Sequence, residues 1–369
     1  MHCRVQDHFT FLEIIGRGAF AKVYKAKKHH TNELVAIKAL FVEAAYAQKS
    51  HQEVRLMMEC DHENLIKFHG AYLQEHGKKT LFIAMEFCGG GSLPNIYKDL
   101  GAFKEDETAF VCREVLQGLQ FLHCNGILHR DIKGDNVLVN DAGDVKICDL
   151  GLAARSTDSI ATLKSSGTLN WMAPEVICAK MNGGYDEKCD IWSLGMMAAE
   201  VAKAEVPFRN MSCSWIFANN TFAFWDLKEV YWSREFKDFV FKALIPDPGT
   251  RPSAKELLMH PFVNRPQLTP SVIENLLEKR KNRMLGGSFP AQPEQEEEKQ
   301  DLGKEQGLHE EPMPVSEEEQ QSMYQEAKPE GPSSKKCSCR RDQALRRVPA
   351  FFRRVFKHLC CCRCRGISE

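Results

Sequence analysis

Two glycines separated by one residue lie between two strand-like runs near the start of the chain, in the sequence Ile-Gly-Arg-Gly-Ala-Phe-Ala-Lys-Val. Glycines let a hairpin loop approach a phosphate chain so closely that backbone N–H groups reach its oxygens. The same glycines could simply form a turn. A dinucleotide-binding loop is disfavoured because such a loop opens a helix, whereas this one is followed by a strand. The candidate phosphate-binding residues are Ile15, Gly16, Arg17, Gly18, Ala19, Phe20, Ala21, Lys22 and Val23.

The next strand, Val35 to Lys38, places one lysine among apolar neighbours. Such a lysine is either a surface residue whose stem lies along apolar neighbours or a cation aimed at an anion.

A second set of motifs is much more specific than the glycine loop. It consists of His-Arg-Asp-Ile-Lys-Gly-Asp-Asn at 129–136, Asp-Leu-Gly at 149–151 and Ala-Pro-Glu at 173–175. In this order the motifs resemble the eukaryotic protein kinase family, and the resemblance covers about Phe9 to Val263. It implies a two-lobed α+β fold with a small β-rich N-lobe and a larger helical C-lobe.

The resemblance also implies a role for each charged residue in phosphoryl transfer. Lys38 would pair with the α and β phosphates of ATP and be held by an acid on the neighbouring helix. Glu53 is the predicted acid, with Glu43 and Glu59 as alternatives. Asp131 would accept the proton of the substrate hydroxyl.

The remaining predicted site residues concern the transferred phosphate, the metal and adenine. Lys133 would lie beside the transferred phosphate, while Asn136 and Asp149 would offer oxygen ligands to Mg²⁺. The backbone of Glu86 and Cys88, after a gatekeeper methionine at 85, would receive adenine.

Lys133 also indicates the substrate class, because family members that act on serine or threonine carry lysine there, and Thr168 matches their threonine near the base. The resemblance extends to the Ste20 group and its germinal-centre kinase branch, near the Misshapen and Nck-interacting kinases. It predicts an ATP-dependent serine/threonine protein kinase with protein substrates and signalling partners. The alternative is a catalytically silent kinase-fold scaffold recruited to membranes by its tail, for which Ala21 in place of a third loop glycine is the only support.

Several other matches have structural or regulatory readings. Asp190 resembles the buried aspartate that organises the catalytic loop, and Glu175 with Arg251 resembles the family's buried ion pair. Three consecutive glycines at 89–91 would give the connection between the lobes its freedom. Phosphorylation of Thr162, Ser165 or Ser166 could regulate the loop, unless Lys164 makes it insensitive.

The elements that must position these residues follow from periodicity. Short β-rich runs occupy Phe9 to Val42, whereas apolar residues recur at helical spacing from Phe110 to Leu122. The kinase domain is therefore expected at 9–263. A short helical extension follows at 264–290.

Composition changes sharply beyond that point. The formal net charge of −1 excludes nucleic-acid binding through net charge alone. This value is the sum of an acidic region and a basic region whose charges nearly cancel. Residues 291–334 carry about −10 and are expected to form an acidic disordered linker, while residues 335–369 form a basic Cys-rich tail of about +9. With no signal-peptide pattern and no spanning segment, we expect a cytoplasmic protein whose cysteines are mostly free thiols.

The tail is predicted to contact a membrane surface. Phe352, Val355, Phe356 and Leu359 fall on one helical face among basic residues, and the sequence Cys-Cys-Cys-Arg-Cys at 360–364 follows at once. This pattern suits S-palmitoylation combined with attraction to anionic lipids. Two alternatives are a zinc cluster that includes Cys337 and Cys339, and an unstructured basic end that pairs with the acidic linker.

Overall fold

The structure is a computed structural model, and it describes residues 4–18, 21–41, 47–74, 79–157, 166–179, 184–209, 211 and 232–285. The predicted linker at 291–334 and the predicted tail at 335–369 lie outside the described residues.

The elements of the first lobe are β1 Phe9–Arg17, β2 Ala21–Lys28, β3 Leu34–Phe41, α1 Ala47–Glu59, β4 Phe68–Gln74 and β5 Thr80–Glu86. The five strands form one antiparallel sheet in the order β1-β2-β3-β5-β4. On β3, Val35 and Ile37 are fully buried on one face, in a cluster with Phe9 of β1. Since successive side chains of a strand alternate, Lys38 lies on the opposite face.

The second lobe is mainly helical and carries two small sheets. Its helices are α2 Leu93–Leu100, α3 Glu105–Cys124, α4 Pro174–Ile177, α5 Lys188–Lys203, α6 Arg234–Ala243, α7 Ala254–Leu258 and α8 Ser271–Leu285. Its strands are β6 Gly91–Ser92, β7 Ile127–Leu128, β8 Val137–Val139, β9 Val145–Ile147 and β10 Ala154–Arg155. The sheets have the orders β6-β8-β9 and β10-β7.

Helix α3 shows why the sequence folds this way. Val111, Val115, Leu119 and Leu122 recur at helical spacing, and all four are fully buried in the main core. The helix begins before the predicted run, with three acidic residues in its first turn, where negative charge is favourable next to the helix dipole. The apolar spacing therefore identified the buried face but not the start of the helix.

A buried ion pair joins Glu175 of α4 to Arg251, which lies shortly before α7. The Arg251 guanidinium donates to both carboxylate oxygens of Glu175, at 2.5 and 3.0 Å, and lies over the Trp192 ring. Carbonyls of Ile245 and Lys188 accept its other N–H groups. The pair predicted from the sequence is thus present and well supplied with hydrogen bonds, as a buried charge requires.

The three glycines after β5 lie close to their neighbours, and the freedom they would give the connection between the lobes stays a prediction. A Cβ on Gly89 would lie 2.1 Å from the Asp141 carboxylate, and one on Gly90 would lie 2.8 Å from the Val139 carbonyl oxygen. Gly91 has a φ of +76°. Gly90 and Gly91 require glycine, the first because it passes close to the Val139 backbone and the second because it turns in a left-handed conformation.

Among the described helices, none is both long and apolar enough to cross a membrane.

Candidate active site

The glycine-containing turn joins β1 to β2. Gly16 pairs with Val23 across the two strands, and a register shift beside Ile15 bends β1 just before the turn. The Gly18 N–H donates to the Ala21 carbonyl at 2.8 Å. Arg17 pairs with Lys22 at the ends of the strands. Ala19 and Phe20 lie outside the described residues.

Ala21 stands where the kinase pattern has its third glycine. It lies at the start of β2 and is not among the residues with positive φ. Its methyl group therefore imposes no left-handed backbone strain on the turn.

Lys38 on β3 contacts two carboxylates that come from different parts of the chain. Its Nζ lies 2.8 Å from Glu53 Oε1 on α1 and 2.9 Å from Asp149 Oδ1 after β9. Of the three acids considered for Lys38, Glu53 is the one that the structure brings to it. Glu59 forms an ion pair with Arg155 instead, and Glu43 lies outside the described residues.

Electrostatics keep this contact ionic. Burial alone would lower the pKa of the Lys38 ammonium, but Asp149 and Glu53 outweigh it and raise that pKa above its usual value. Burial would likewise raise the pKa of Asp149, yet Lys38 and the Gly151 N–H hold it below the ordinary range. Lys38 and Asp149 therefore carry opposite charges at neutral pH.

Asn136 and Asp149, the predicted metal ligands, are adjacent through the backbone. The Cys148 N–H, one residue before Asp149, donates to the Asn136 carbonyl at 2.9 Å. Asn136 Nδ2 donates to the Asp131 carbonyl and to Asp131 Oδ2, so its Oδ1 remains as the acceptor oxygen. Asp149 engages Oδ1 with Lys38 and Gly151, while its side chain is 44% exposed.

This donor set fits Mg²⁺, which prefers oxygen ligands and keeps several that the protein does not supply. In the described part of the chain, no group of three or more histidines, cysteines or acidic residues could hold a metal by itself. A cation between Asn136 and Asp149 would therefore need further oxygens, such as those of phosphates.

The Asp131 carboxylate is held on both of its oxygens. Oδ1 accepts hydrogen bonds from the Thr168 N–H at 2.9 Å and from the Thr168 hydroxyl at 2.7 Å. Oδ2 accepts from Asn136 Nδ2 at 2.9 Å and lies 3.1 Å from Lys133 Nζ. Lys133 Nζ also donates to Thr168 Oγ1 at 2.6 Å, so the base, the lysine and the threonine form one cluster.

Asp190 fixes the backbone of the loop that carries Asp131. Its carboxylate, fully buried at the start of α5, accepts from the N–H groups of His129 and Arg130 at 2.9 and 2.8 Å. Burial would raise its pKa, but the His123 ring nitrogen 2.9 Å away and His129 lower it. Arg130 has a φ of +69°, a left-handed conformation that this tight turn imposes before the base.

The predicted adenine-binding stretch joins the two lobes directly after β5. The Glu86 N–H donates to the Lys67 carbonyl, and the Cys88 carbonyl accepts from the Gly91 N–H at 3.1 Å. Burial raises the pKa of the Cys88 thiol to about 12, so this thiol is protonated at neutral pH. Met85 is half-buried against the main core, as expected of a residue that lines a cleft.

One of the predicted regulatory positions lies within the described residues. Ser166 is half-buried, whereas Thr162, Lys164 and Ser165 lie outside the described residues. Arg130 donates to the Leu152 carbonyl at 2.5 Å and to the Tyr185 hydroxyl at 3.2 Å.

Glu200 is a positioning residue that sequence reasoning missed. It is 1% exposed on α5 and accepts hydrogen bonds from the Gly134 N–H, from Trp171 Nε1 and from the Tyr97 hydroxyl, at 3.0, 2.9 and 3.3 Å. It thereby joins the catalytic loop, the Thr168 segment and α2. The available signal was a lone carboxylate in a largely apolar helix, which must find partners when buried.

Comparisons with known proteins agree with this geometry. Residues 9–263 match the protein kinase domain family. Over 286 residues the chain is 42% identical to mitogen-activated protein kinase kinase kinase kinase 3 of Rattus norvegicus, covering 75% of this chain and 32% of that protein. The Homo sapiens protein of the same name gives 42% identity over 75% of this chain and 31% of the relative.

A more distant relative is serine/threonine-protein kinase dst1 of Dictyostelium discoideum. It is 36% identical over 289 residues, which cover 77% of this chain and 38% of the relative. The chain thus spans about a third of the length of the curated relatives it matches.

Glu200 gives a pH dependence that can be measured. Burial raises its pKa from 4.5 to about 7. The nearby Asp135 charge adds to this rise, whereas the hydrogen bonds to Glu200 oppose it. The folded state then retains a proton that the unfolded state releases above pH 4.5, so the free energy of unfolding falls as pH rises towards 7. Relative to Glu200→Gln, the wild-type free energy of unfolding should fall by about 3 kcal/mol between pH 4.5 and 8.

Chemical denaturation at several pH values checks this, with the exposed Glu205→Gln as the matched control. The control should track the wild type at every pH. A constant difference between wild type and Glu200→Gln would contradict the account.

Proposed function

The chain belongs to the protein kinase family, within the germinal-centre branch of the Ste20 group, and we propose that it is an active serine/threonine protein kinase. It would transfer the γ-phosphate of ATP to serine or threonine hydroxyls of protein substrates. The observation that carries this proposal is the Asp131 carboxylate, held by Thr168, Asn136 and Lys133. A carboxylate fixed on both oxygens is oriented before the substrate arrives, as a general base must be.

The chemistry needs little covalent participation from the protein. The substrate hydroxyl oxygen bonds to the γ-phosphorus, the bond from that phosphorus to the bridging oxygen breaks, and ADP leaves. The Asp131 carboxylate would accept the hydroxyl proton. Lys133, 3.1 Å from Asp131, would place a positive charge beside the negatively charged oxygens of the transferred phosphoryl group.

The other charged residues would bind the nucleotide and its metal. Lys38, held by Glu53 and Asp149, would pair with the α and β phosphates through its positive charge and its one remaining ammonium N–H. Asn136 and Asp149 would hold Mg²⁺, which when bound neutralises charge on the phosphate oxygens. The turn between Gly16 and Ala21 would cover the phosphates, and the backbone of Glu86 and Cys88 would receive adenine.

Thr168 supports the choice of serine and threonine as substrates. It bridges Asp131 and Lys133 through its hydroxyl, and this threonine and lysine belong to the pattern of kinases with that specificity. The printed name of the Dictyostelium relative, a serine/threonine-protein kinase, agrees.

The alternative of a catalytically silent scaffold has little support. Ala21 was its only basis, and that residue lies in β2 without positive φ. Against a silent scaffold, Lys38 lies beside Glu53 and Asp149, and Lys133 lies beside Asp131, as phosphoryl transfer would need.

Phosphoryl transfer is directly testable. The purified full chain with Mg²⁺ and γ-labelled ATP should phosphorylate a generic basic protein, and the label should be found on serine and threonine. Asp131→Asn should lower kcat by about a hundredfold or more, because it removes the general base while keeping the shape of the side chain.

The exposed Asp61→Asn, whose side chain lies outside the site, is the matched control and should leave kcat unchanged. Equal rates for wild type and Asp131→Asn would refute the enzyme assignment. Label on tyrosine alone would refute the substrate class.

We also propose that the chain is a cytoplasmic protein that reaches membrane surfaces through residues 335–369. The support is in the sequence, where a basic amphipathic stretch precedes four cysteines within residues 360–364. A lipid chain on cysteine and a polybasic segment together supply the two signals that stable membrane attachment needs.

Acylation of the full-length protein in cells tests the tail. Replacing Cys360, Cys361, Cys362 and Cys364 by serine should remove hydroxylamine-sensitive palmitate labelling and shift the protein from membranes to cytosol. Replacing Cys337 and Cys339 by serine is the control and should change neither. Absence of labelling in the wild type would refute the proposal, and loss of zinc from both variants would favour a metal cluster.

A further inference from the structure

Helix α8, Ser271–Leu285, begins after the matched domain ends at residue 263, yet it packs tightly on the second lobe. Ile273 and Leu276 are 0% and 4% exposed, and both belong to the main core. A helix that merely followed the domain would not need to bury these side chains. Its position brings three of its other residues to the edge of the proposed nucleotide site.

Arg280 makes the most specific of these contacts. Its Nη1 donates to the Gly90 carbonyl at 2.6 Å, and its Nε donates to Asp99 Oδ2 on α2, also at 2.6 Å. The Arg280 side chain is 16% exposed, so water screens the contact only in part. Gly90 follows the predicted adenine-binding residue Cys88 by two positions.

Two more side chains of α8 contact the same region. A Cβ on Gly90 would lie 3.1 Å from Leu277 Cδ2, which shows how closely Leu277 approaches the backbone. A Cβ on Gly143, in the turn between β8 and β9, would lie 3.2 Å from Glu274 Cγ. Gly90 and Gly143 therefore lie against successive turns of one helix.

The small sheet beneath this helix carries the proposed ligands. Gly91 and Ser92 of β6 pair with β8, and β8 pairs with β9. Asn136 directly precedes β8, and Asp149 follows β9 by two residues. The end of the adenine-binding stretch and both predicted metal ligands are thus mounted on one three-stranded sheet, which α8 contacts at its β6 end and at its β8–β9 turn.

From this juxtaposition we infer that Arg280 is a positioning residue for nucleotide binding. By holding the Gly90 carbonyl and α2 to α8, it fixes the end of the adenine-binding backbone where β6 begins, on the sheet that carries Asn136 and Asp149. The inference rests on the proposed function, since it assumes that ATP binds between these elements. Arg280 itself does not touch the reacting atoms.

Nucleotide affinity separates this role from a purely structural one. For the full chain, Arg280→Ala should raise the Kd for ATP with Mg²⁺, measured by isothermal titration calorimetry, by about three- to tenfold, which is the effect of losing one or two hydrogen bonds. KM for ATP should rise in parallel, with kcat changed less than twofold. Arg280→Lys keeps the charge and one donor and should recover part of the affinity.

Two further variants make the result interpretable. Arg283→Ala, exposed on the same helix, should leave Kd and KM unchanged. Asp99→Ala removes one partner of Arg280 but keeps the Gly90 contact, so its loss of affinity should be smaller than that of Arg280→Ala.

The outcomes distinguish the two proposals. A lowered melting temperature in Arg280→Ala with unchanged Kd would overturn the positioning role and leave a structural one. A wild type that binds ATP but transfers no phosphate would refute the proposed function while the Kd comparison still stands. A wild type that binds no ATP would overturn both.

Discussion

The Lys38 ammonium, held between the carboxylates of Glu53 and Asp149, is the interaction on which the rest of the structure depends. It joins β3, α1 and the segment after β9. One positive and two negative charges leave a net negative group, which favours an added cation. Because these carboxylates raise the pKa of Lys38 against the effect of burial, the contact stays ionic through neutral pH.

Two buried carboxylates on α5 position the loop around Asp131, and their chemistry differs. Asp190 meets two backbone N–H groups and His123, which lower its pKa despite burial. The donors to Glu200 among the described residues are neutral, and burial raises its pKa to about 7. The first is a fixed negative anchor, whereas the second changes protonation near physiological pH. Both carboxylates lie on a buried helix and accept hydrogen bonds from backbone N–H groups of the loop around Asp131. These bonds fix the loop before a substrate binds, as a site of charged groups requires.

Residues in short motifs could be predicted from the sequence. Contacts that depend on packing between distant parts of the chain could not. The motifs around Asp131 and Asp149 could be recognised because their spacing along the chain is short. The contacts of Arg280 with Gly90 could not, since 190 residues separate the partners and a surface arginine has many possible acceptors. The close approach of Gly90 to Val139 could not be predicted either, because glycine allows both flexibility and close approach and the partner lies far along the chain. The burial of Glu200 likewise depends on which other elements pack on α5, and the sequence of α5 alone does not indicate them.

We propose that Asp149, beside Lys38, couples Mg²⁺ to nucleotide binding, and a comparison of ATP affinities tests this coupling. In wild type, Mg²⁺ should lower the Kd for ATP. In Asp149→Asn, ATP binding without Mg²⁺ should persist or strengthen, since a negative charge next to the phosphates is gone, but the gain from Mg²⁺ should be lost. Isothermal titration calorimetry with and without Mg²⁺ gives all four affinities. An undiminished gain from Mg²⁺ in Asp149→Asn would contradict the account.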